Sequence, residues 1–340
     1  MNKLKKLVLI GAGRIAKVHT RSVSSLEGVQ IAAIVDPSRE AGESIVSIAG
    51  GVWYPTLDKA VESDSFSGAI IAAPTPLHAE LIERCVGLDL PVFCEKPVDL
   101  SLARVDQCVE RVKSAGLPVL IAFHRRFDTA RRKVHEVARS GSLGRLEHIL
   151  QISRDPRLPS ESFLAHSGGM VRDMLIHDLD ELVWLCGNGP VTVQADLERF
   201  VDPPLLARYD DYDTAAVTIV FENGPQCQIS ATRRSVYGFD QRIEVFGSAG
   251  MVTCPNVHTS SIVNITGEGF LRAPLLDNFP QRYLSAYAAE MQHFLAVIDG
   301  AEEPRCTVID ARASLALAEL VLESARSGQK IKAQGCSWRY

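Results

Sequence analysis

The chain has 340 residues, 46% of them apolar and 23% charged, the balance of a soluble globular protein. That length suggests two domains at roughly 100–200 residues each, with a core large enough to fold without disulfide or metal staples. Thirty-six basic residues against 41 acidic ones leave a net charge of −5, which argues against a nucleic-acid or anionic-membrane partner, since both need a basic excess. No apolar run approaches the ~18–20 residues that span a bilayer.

At the N-terminus, Lys3, Lys5 and Lys6 precede the apolar stretch Leu7–Ala12. The stretch is short, Gly11 interrupts it and Arg14 follows soon after, so it is expected to be a first β-strand of a cytoplasmic protein and not a secretion signal. Over the first 123 positions, short runs rich in β-branched residues alternate with amphipathic stretches. Leu7–Ile10, Ile31–Val35, Ala69–Ala73, Val92–Cys94 and Val119–Phe123 predict buried parallel strands. Helices are predicted between them over Arg14–Leu26, Ser38–Ala49, Leu77–Gly87 and Ser101–Ala115. Such alternation means βαβ units wound into a parallel sheet.

The pattern changes after about residue 125. A helix is predicted over Phe127–Ser140, a strand over Leu146–Ser153, a proline-containing loop over Asp155–Ser160, and a helix from Gly168-Gly169 to Cys186. Val217–Phe221 and Gln226–Thr232 alternate with period two around Asn223-Gly224, a hairpin signal. Arg242–Phe246 and Met251–Cys254 flank a second turn, and Tyr283–Ile298 and Ala311–Ser327 predict closing helices. The expected fold class is α/β, with a Rossmann dinucleotide-binding domain over residues 1–124. An α+β domain over residues 125–340 is expected to carry a large, mainly antiparallel open sheet. One face of that sheet has no obvious covering helix, so a symmetric homo-oligomer is expected, a tetramer or a dimer. The eight cysteines, at positions 85, 94, 108, 186, 227, 254, 306 and 336, show neither C-x-x-C nor zinc spacing and read as reduced core residues; no metal site is expected.

Gly11-Ala-Gly13-Arg-Ile-Ala16 directly follows the first strand and opens a helix. Gly11 allows a tight turn, Gly13 lets the backbone approach a pyrophosphate, and Ala16 permits close helix–strand packing. The helix start, with Arg14 and Ile15, adds unpaired N–H groups and a positive dipole end. Asp36 ends the second strand, at the distance expected of an acid that binds ribose hydroxyls, and its charge favours NAD over NADP. The competing reading is a plain turn with Asp36 capping the next helix. Ala73, Thr75 and His78 follow a strand on the same sheet edge and are further cofactor candidates; His78 reads equally as a partly buried helix residue. Glu95 and Lys96, in Phe93-Cys-Glu-Lys-Pro97, end the next strand at the crevice where a nicotinamide would lie. Far downstream, Asp173 and His177 stand at i, i+4 on a helix, where a carboxylate can orient an imidazole and raise its basicity. Lys96 also reads as a surface lysine, and the Asp173/His177 pair as a simple helix pair.

Taken together, G-x-G-x-x-A, Ala-Pro-Thr-Pro-x-x-His, Glu-Lys-Pro and Gly-Gly-x-x-x-Asp-x-x-x-His-Asp resemble the Gfo/Idh/MocA oxidoreductases along essentially the whole chain. Ser153-Arg-Asp-Pro156, Phe123–Asp128 and Ser167–Asp180 are most similar to the inositol dehydrogenase branch. The resemblance implies an NAD-dependent enzyme, often tetrameric, that oxidises a hydroxyl of a small polyol or sugar. Its trio is Lys96, Asp173 and His177, and the Lys96-Pro97 peptide is often cis. Arg125, Asp155 and Tyr237 are implied to hold substrate hydroxyls, with Tyr283 near the nicotinamide. In such a reaction the substrate loses a hydroxyl proton and a hydride. An imidazole, with its ordinary pKa of ~6.5, suits the proton. Asp173 would steady His177, and Lys96 would stabilise alkoxide character without a metal. Other sugar dehydrogenases, a glycosidase using NAD transiently, and a non-catalytic NAD-sensing regulator are the alternatives on the same fold.

Overall fold

The computed structural model describes residues 4–187 and 189–333, so Lys3 and Cys336 lie outside the described residues. The chain forms two compact units, one of residues up to 128 together with 284–312, the other of 129–283 together with 313 onward. The sequence reading drew a single boundary at 124/125; compactness groups residues 284–312 with the first unit.

The first unit opens with β1 (Lys5–Ile10), α1 (Arg14–Ser24), β2 (Val29–Val35), α2 (Arg39–Ala49), β3 (Val52–Tyr54), α3 (Leu57–Ser63), β4 (Gly68–Ile71), α4 (His78–Val86), β5 (Val92–Glu95), α5 (Leu102–Ala115) and β6 (Val119–Ala122). Its six strands run parallel in the order β3-β2-β1-β4-β5-β6. Burial is nearly continuous along them, with Leu7, Val8 and Leu9 at 0% exposure, because helices cover both faces of such a sheet. The order reverses between β1 and β4, which makes the carboxyl ends of these strands the ligand crevice. β3 and α3 carried no periodic signal: β3 is a three-residue edge strand whose Val52 is exposed.

The second unit holds α6 (Thr129–Arg139), β7 (Leu146–Arg154), a short α7 (Glu161–Leu164), α8 (Ile176–Cys186), β8 (Pro190–Glu198), a short α9 (Pro203–Arg208), β9 (Thr214–Phe221), β10 (Gln226–Thr232), β11 (Asp240–Gly247), β12 (Gly250–Cys254), the hairpin β13 (Val263–Thr266) and β14 (Gly269–Arg272), and a short α10 (Phe279–Arg282). The chain ends with α11 (Leu284–Ile298), α12 (Val308–Ser327) and β15 (Ile331–Lys332). Seven strands form one sheet in the order β12-β11-β7-β10-β9-β8-β15, antiparallel throughout except for the β7/β10 pair. The expected hairpin turn at Asn223-Gly224 joins β9 to β10, with Asn223 at φ 50°.

Alternation sorts this sheet into two faces. Ile149, Val217, Ile219, Cys227, Ile229, Ile243 and Val245 pack under Val134 of α6, Leu179 and Leu182 of α8, and Leu317 and Val321 of α12. On the other face Leu150 and Val220 are half-buried, while Phe246 and Met251, paired across β11 and β12, are 45% and 54% exposed. Hairpin β13/β14 is exposed along its whole length, so it has no buried face to show in the sequence. The seven described cysteines are buried. Among the described residues, no cluster of His, Cys, Asp or Glu could hold a metal, and no helix is long and apolar enough to cross a membrane.

Glu290 of α11 is wholly buried in the first unit, and neither carboxylate oxygen has a hydrogen-bond partner among the described residues. Burial, reinforced by the Glu95 charge, pushes its pKa well above the usual carboxylate range. A carboxyl whose folded pKa is raised binds its proton more tightly when folded. Stability is therefore full below the ordinary pKa near 4.5 and declines as pH rises towards the folded value. Each tenfold difference in proton affinity is worth about 1.4 kcal/mol. Glu290→Gln should abolish this decline. Urea denaturation at acidic and at neutral pH tests it: the variant should gain on the parent at the higher pH, and a parallel response of the two would refute the assignment.

Candidate active site

The glycine loop is built by close approach. Gly11 has φ +98°, and a Cβ there would lie 2.5 Å from the Ala72 carbonyl oxygen, so only glycine fits where β1 passes the end of β4. Its N–H donates to Val35 O at 2.8 Å, which joins the loop to β2. Gly13 faces the other way: a Cβ on it would meet nothing within 4 Å. The residue stands at the N-cap of α1, where glycine offers no capping side chain of its own, and the first turn carries no acid. An open cradle in front of a helix N-terminus is what a pyrophosphate requires. Behind it Ala16 is fully buried, as close helix–sheet packing demands, while Arg14 is exposed and Ile15 half-buried.

Asp36 accepts Ala12 N–H on Oδ2 at 2.8 Å and Ser38 N–H on Oδ1 at 2.8 Å. The side chain capping α2 is that of Ser38, which accepts from Ala41 N–H at 3.2 Å. Asp36 thus ties the glycine loop to the β2 turn and keeps further lone pairs for the hydroxyls of a ribose. Arg39, the cation closest in sequence, is engaged by Glu43 at 2.8 Å and lies over the Trp53 ring. These residues fit NAD.

Around the next turns, Ala73 and Thr75 are half-buried. His78 is 1% exposed, with Nε2 2.7 Å from Ala73 O and Nδ1 2.7 Å from Pro97 O. Burial pushes its pKa down, against the pull of the two carbonyls. Both ring nitrogens are engaged within the protein, so His78 straps the β4 turn to the β5 turn and does not present a nitrogen to a ligand. Glu95 likewise points inward, its Oε1 2.7 Å from Nε2 of the buried His19. Lys96 is half-buried, and the Lys96-Pro97 peptide is cis. Arg125, in the turn His124–Phe127, is 5% exposed and also belongs to the first unit.

In the second unit, Gly168 and Gly169 take φ +79° and +85° and lead into a turn of π-helix over Val171–Leu175, which continues as α8. Asp173 lies in the π turn and His177 in the first turn of α8, so the pair spans a junction where a regular α-helix was expected. Single π turns in α-helices are frequent at functional sites. Both residues are half-buried, whereas Met174, Leu175, Ile176 and Asp178 between and beside them are buried. The helix is anchored from below: Arg131 Nη1 lies 3.1 Å from Glu181 Oε2, and Gln151 Nε2 donates to the same oxygen at 2.9 Å.

The parallel strands β7 and β10 end side by side and gather other candidates. Asp155 donates its N–H to Thr232 O at 2.9 Å and accepts Ser235 N–H on its carbonyl at 2.9 Å. Tyr237 is 49% exposed; its hydroxyl donates to Asp240 Oδ2 at 2.8 Å and accepts from Arg154 Nη1 at 2.9 Å. Tyr283, by contrast, is 1% exposed, edge-on to Phe239 with Arg282 over its ring. Sequence reasoning missed Arg233 and Asp211, both 1% exposed: a charged residue beyond a strand reads as surface unless its partner, here 22 positions away, is known.

Comparison with known proteins bears on these residues. Residues 5–123 match the oxidoreductase family with an NAD-binding Rossmann fold, and residues 131–253 match the GFO/IDH/MocA C-terminal domain. An inositol 2-dehydrogenase of Rhizobium meliloti (strain 1021) is 38% identical over 323 residues, covering 95% of this chain and 97% of that protein. A myo-inositol 2-dehydrogenase of Thermotoga maritima is 32% identical, covering 96% of this chain and 98% of that protein. The crystal structure of a myo-inositol dehydrogenase from Corynebacterium glutamicum ATCC 13032 superimposes with a TM-score of 0.92 at 32% identity, covering 98% of this chain and 99% of that one. The two family matches and these relatives, each at least 32% identical over 95% or more of this chain, show that the chain belongs to the Gfo/Idh/MocA family of NAD-binding oxidoreductases.

Proposed function

We propose that this protein oxidises a secondary hydroxyl of a cyclic polyol or sugar of the inositol type to a ketone. Bound NAD supplies the hydride acceptor. His177 acts as general base towards the hydroxyl proton, in a side chain that reaches the surface of its unit at the start of α8. Asp173, one turn earlier, orients the imidazole and stabilises its cation. Lys96 donates to the same substrate oxygen, where its charge offsets alkoxide character as the proton leaves. Arg125, Asp155 and Tyr237 hold the remaining hydroxyls, and Tyr283 backs the nicotinamide side. Gly11, Gly13, Arg14, Ile15, Asp36, Ala73 and Thr75 hold the dinucleotide, with Lys96 at the nicotinamide end, while Glu95 supports that strand end from within through His19.

The observation that carries this reading is the half-buried Asp173/His177 pair at the junction of a π turn and α8, in a chain of which 95% or more aligns with relatives named inositol dehydrogenases. A panel of myo-inositol, scyllo-inositol, glucose and related sugars with NAD, followed at the NADH absorbance band, tests it. Net NADH with a cyclic polyol is expected. Release of sugar from a glycoside without net NADH would favour transient oxidation, and NAD binding without either product would favour a sensor.

The open sheet face is proposed as the assembly surface, with a tetramer slightly ahead of a dimer. Leu150, Val220, Phe246 and Met251 share that face, and an apolar sheet face uncovered within the chain is commonly covered by another copy. Light scattering at micromolar concentration should give a multiple of 37.1 kDa. Phe246→Glu should lower it, and a monomer in the parent protein would refute the assignment.

A further inference from the structure

The geometry points to Arg233 as a positioning residue for the Asp173/His177 pair. Arg233 follows β10 and is 1% exposed. Its guanidinium faces two carboxylates: Nη1 donates to Asp211 Oδ2 at 2.6 Å, and Nη2 lies 3.8 Å from Asp173 Oδ2. Its backbone N–H donates to Asp213 O at 2.8 Å, so the base of the side chain is fixed as well. Asp211, also 1% exposed, uses its other oxygen to accept Met170 N–H at 2.6 Å and Tyr212 N–H at 2.7 Å. Met170 immediately precedes the π turn that carries Asp173. A Cβ on Gly169 would come within 3.0 Å of the same Asp211 oxygen, so the left-handed glycine lets the turn close onto it.

One buried cation therefore controls two things. Through Asp211 it holds the backbone where the π turn starts; directly, it attracts one oxygen of Asp173. A guanidinium cannot shed its proton in a protein and cannot leave this depth unpaired without a large cost. The guanidinium charge 3.8 Å from Asp173 Oδ2 draws that oxygen towards it and so biases the orientation from which Asp173 can steer the His177 ring. This role rests on the proposed part of Asp173 and His177 in proton transfer.

The test is a double-mutant cycle on the NAD-supplied enzyme, with turnover, KM for polyol and NAD affinity measured separately. Arg233→Met alone strands a buried Asp211 charge and risks the fold, so Arg233→Met/Asp211→Asn, which removes both charges, is the working variant, and thermal melting shows that it is folded. Its kcat should fall roughly 10–100-fold, the cost of misplacing a catalytic group by about an ångström, while KM and NAD affinity stay within about twofold. Combined with Asp173→Asn it should cost little more than Asp173→Asn alone, because groups acting as a unit are not additive. Arg233→Lys, which keeps the charge, should recover part of the loss. A folded double variant with the parent's kcat, or a loss fully additive to that of Asp173→Asn, overturns the role of Arg233 alone. Normal turnover in Asp173→Asn overturns the proton-transfer reading and this role with it.

Discussion

Replacing His177 with Ala is expected to lower turnover by roughly 10²–10⁴, the range for losing a general acid–base group, with NAD affinity almost unchanged. The second half follows from placement: His177 starts α8 in the second unit, while the glycine loop and Asp36 are in the first. Lys96→Ala should cost a similar factor, because the proposed mechanism puts its charge where alkoxide character develops. Asp173→Asn should also slow turnover, since an amide cannot stabilise an imidazolium. Asp173→Asn/His177→Ala should be little worse than His177→Ala alone. The pH profile of kcat should lose its essential base in the His177 variant. A purely structural role predicts a different outcome, a lowered melting temperature with normal turnover per folded molecule, and steady-state kinetics beside thermal melting separates the two.

Exchanging Asp36 for Ser should change which dinucleotide the enzyme prefers. In the parent protein the 2′-phosphate of NADP would meet the Asp36 carboxylate, and like charges brought together at an interface cost several kcal/mol. NAD should therefore exceed NADP by about 100-fold or more in kcat/KM, each 1.4 kcal/mol being tenfold. Asp36→Ser should narrow that ratio by about tenfold or more and weaken NAD as well, because Asp36 also bonds Ala12 N–H of the glycine loop. Arg39, already paired with Glu43, is the cation that would gain from the exchange. Paired kinetics with the two cofactors measures this, and a parent enzyme faster with NADP would contradict the role given to Asp36.

Local signals made the first unit legible. The β1–Gly11–α1 segment and Asp36 fall within one stretch of chain, so spacing alone indicated a dinucleotide loop, and the structure adds why Gly11 tolerates no Cβ. Strands with a buried and an open face, such as β9 and β10, showed themselves by alternation. What escaped is what depends on distant partners. Helix α11 belongs with the first unit because it packs on α1, a relation no periodicity encodes. His78 and Glu95 have the right residue types and positions for ligand contacts, yet Pro97, Ala73 and His19 already engage them. The π turn was invisible because Asp173 and His177 are spaced as any α-helical pair, and what flanks it, the left-handed Gly168-Gly169 and the Asp211 bond to Met170, depends on a partner 41 positions away.

Hydride transfer from a carbinol carbon is the central claim, and isotope labelling tests it most directly. The enzyme would be incubated with NAD and myo-inositol or scyllo-inositol carrying deuterium on the ring carbons, and the reduced cofactor analysed by mass spectrometry. The account predicts reduced cofactor bearing one deuterium, formed more slowly than from unlabelled substrate and slowed a further roughly 10²–10⁴-fold in His177→Ala. Reduced cofactor without deuterium, or none from any cyclic polyol or sugar, would contradict it.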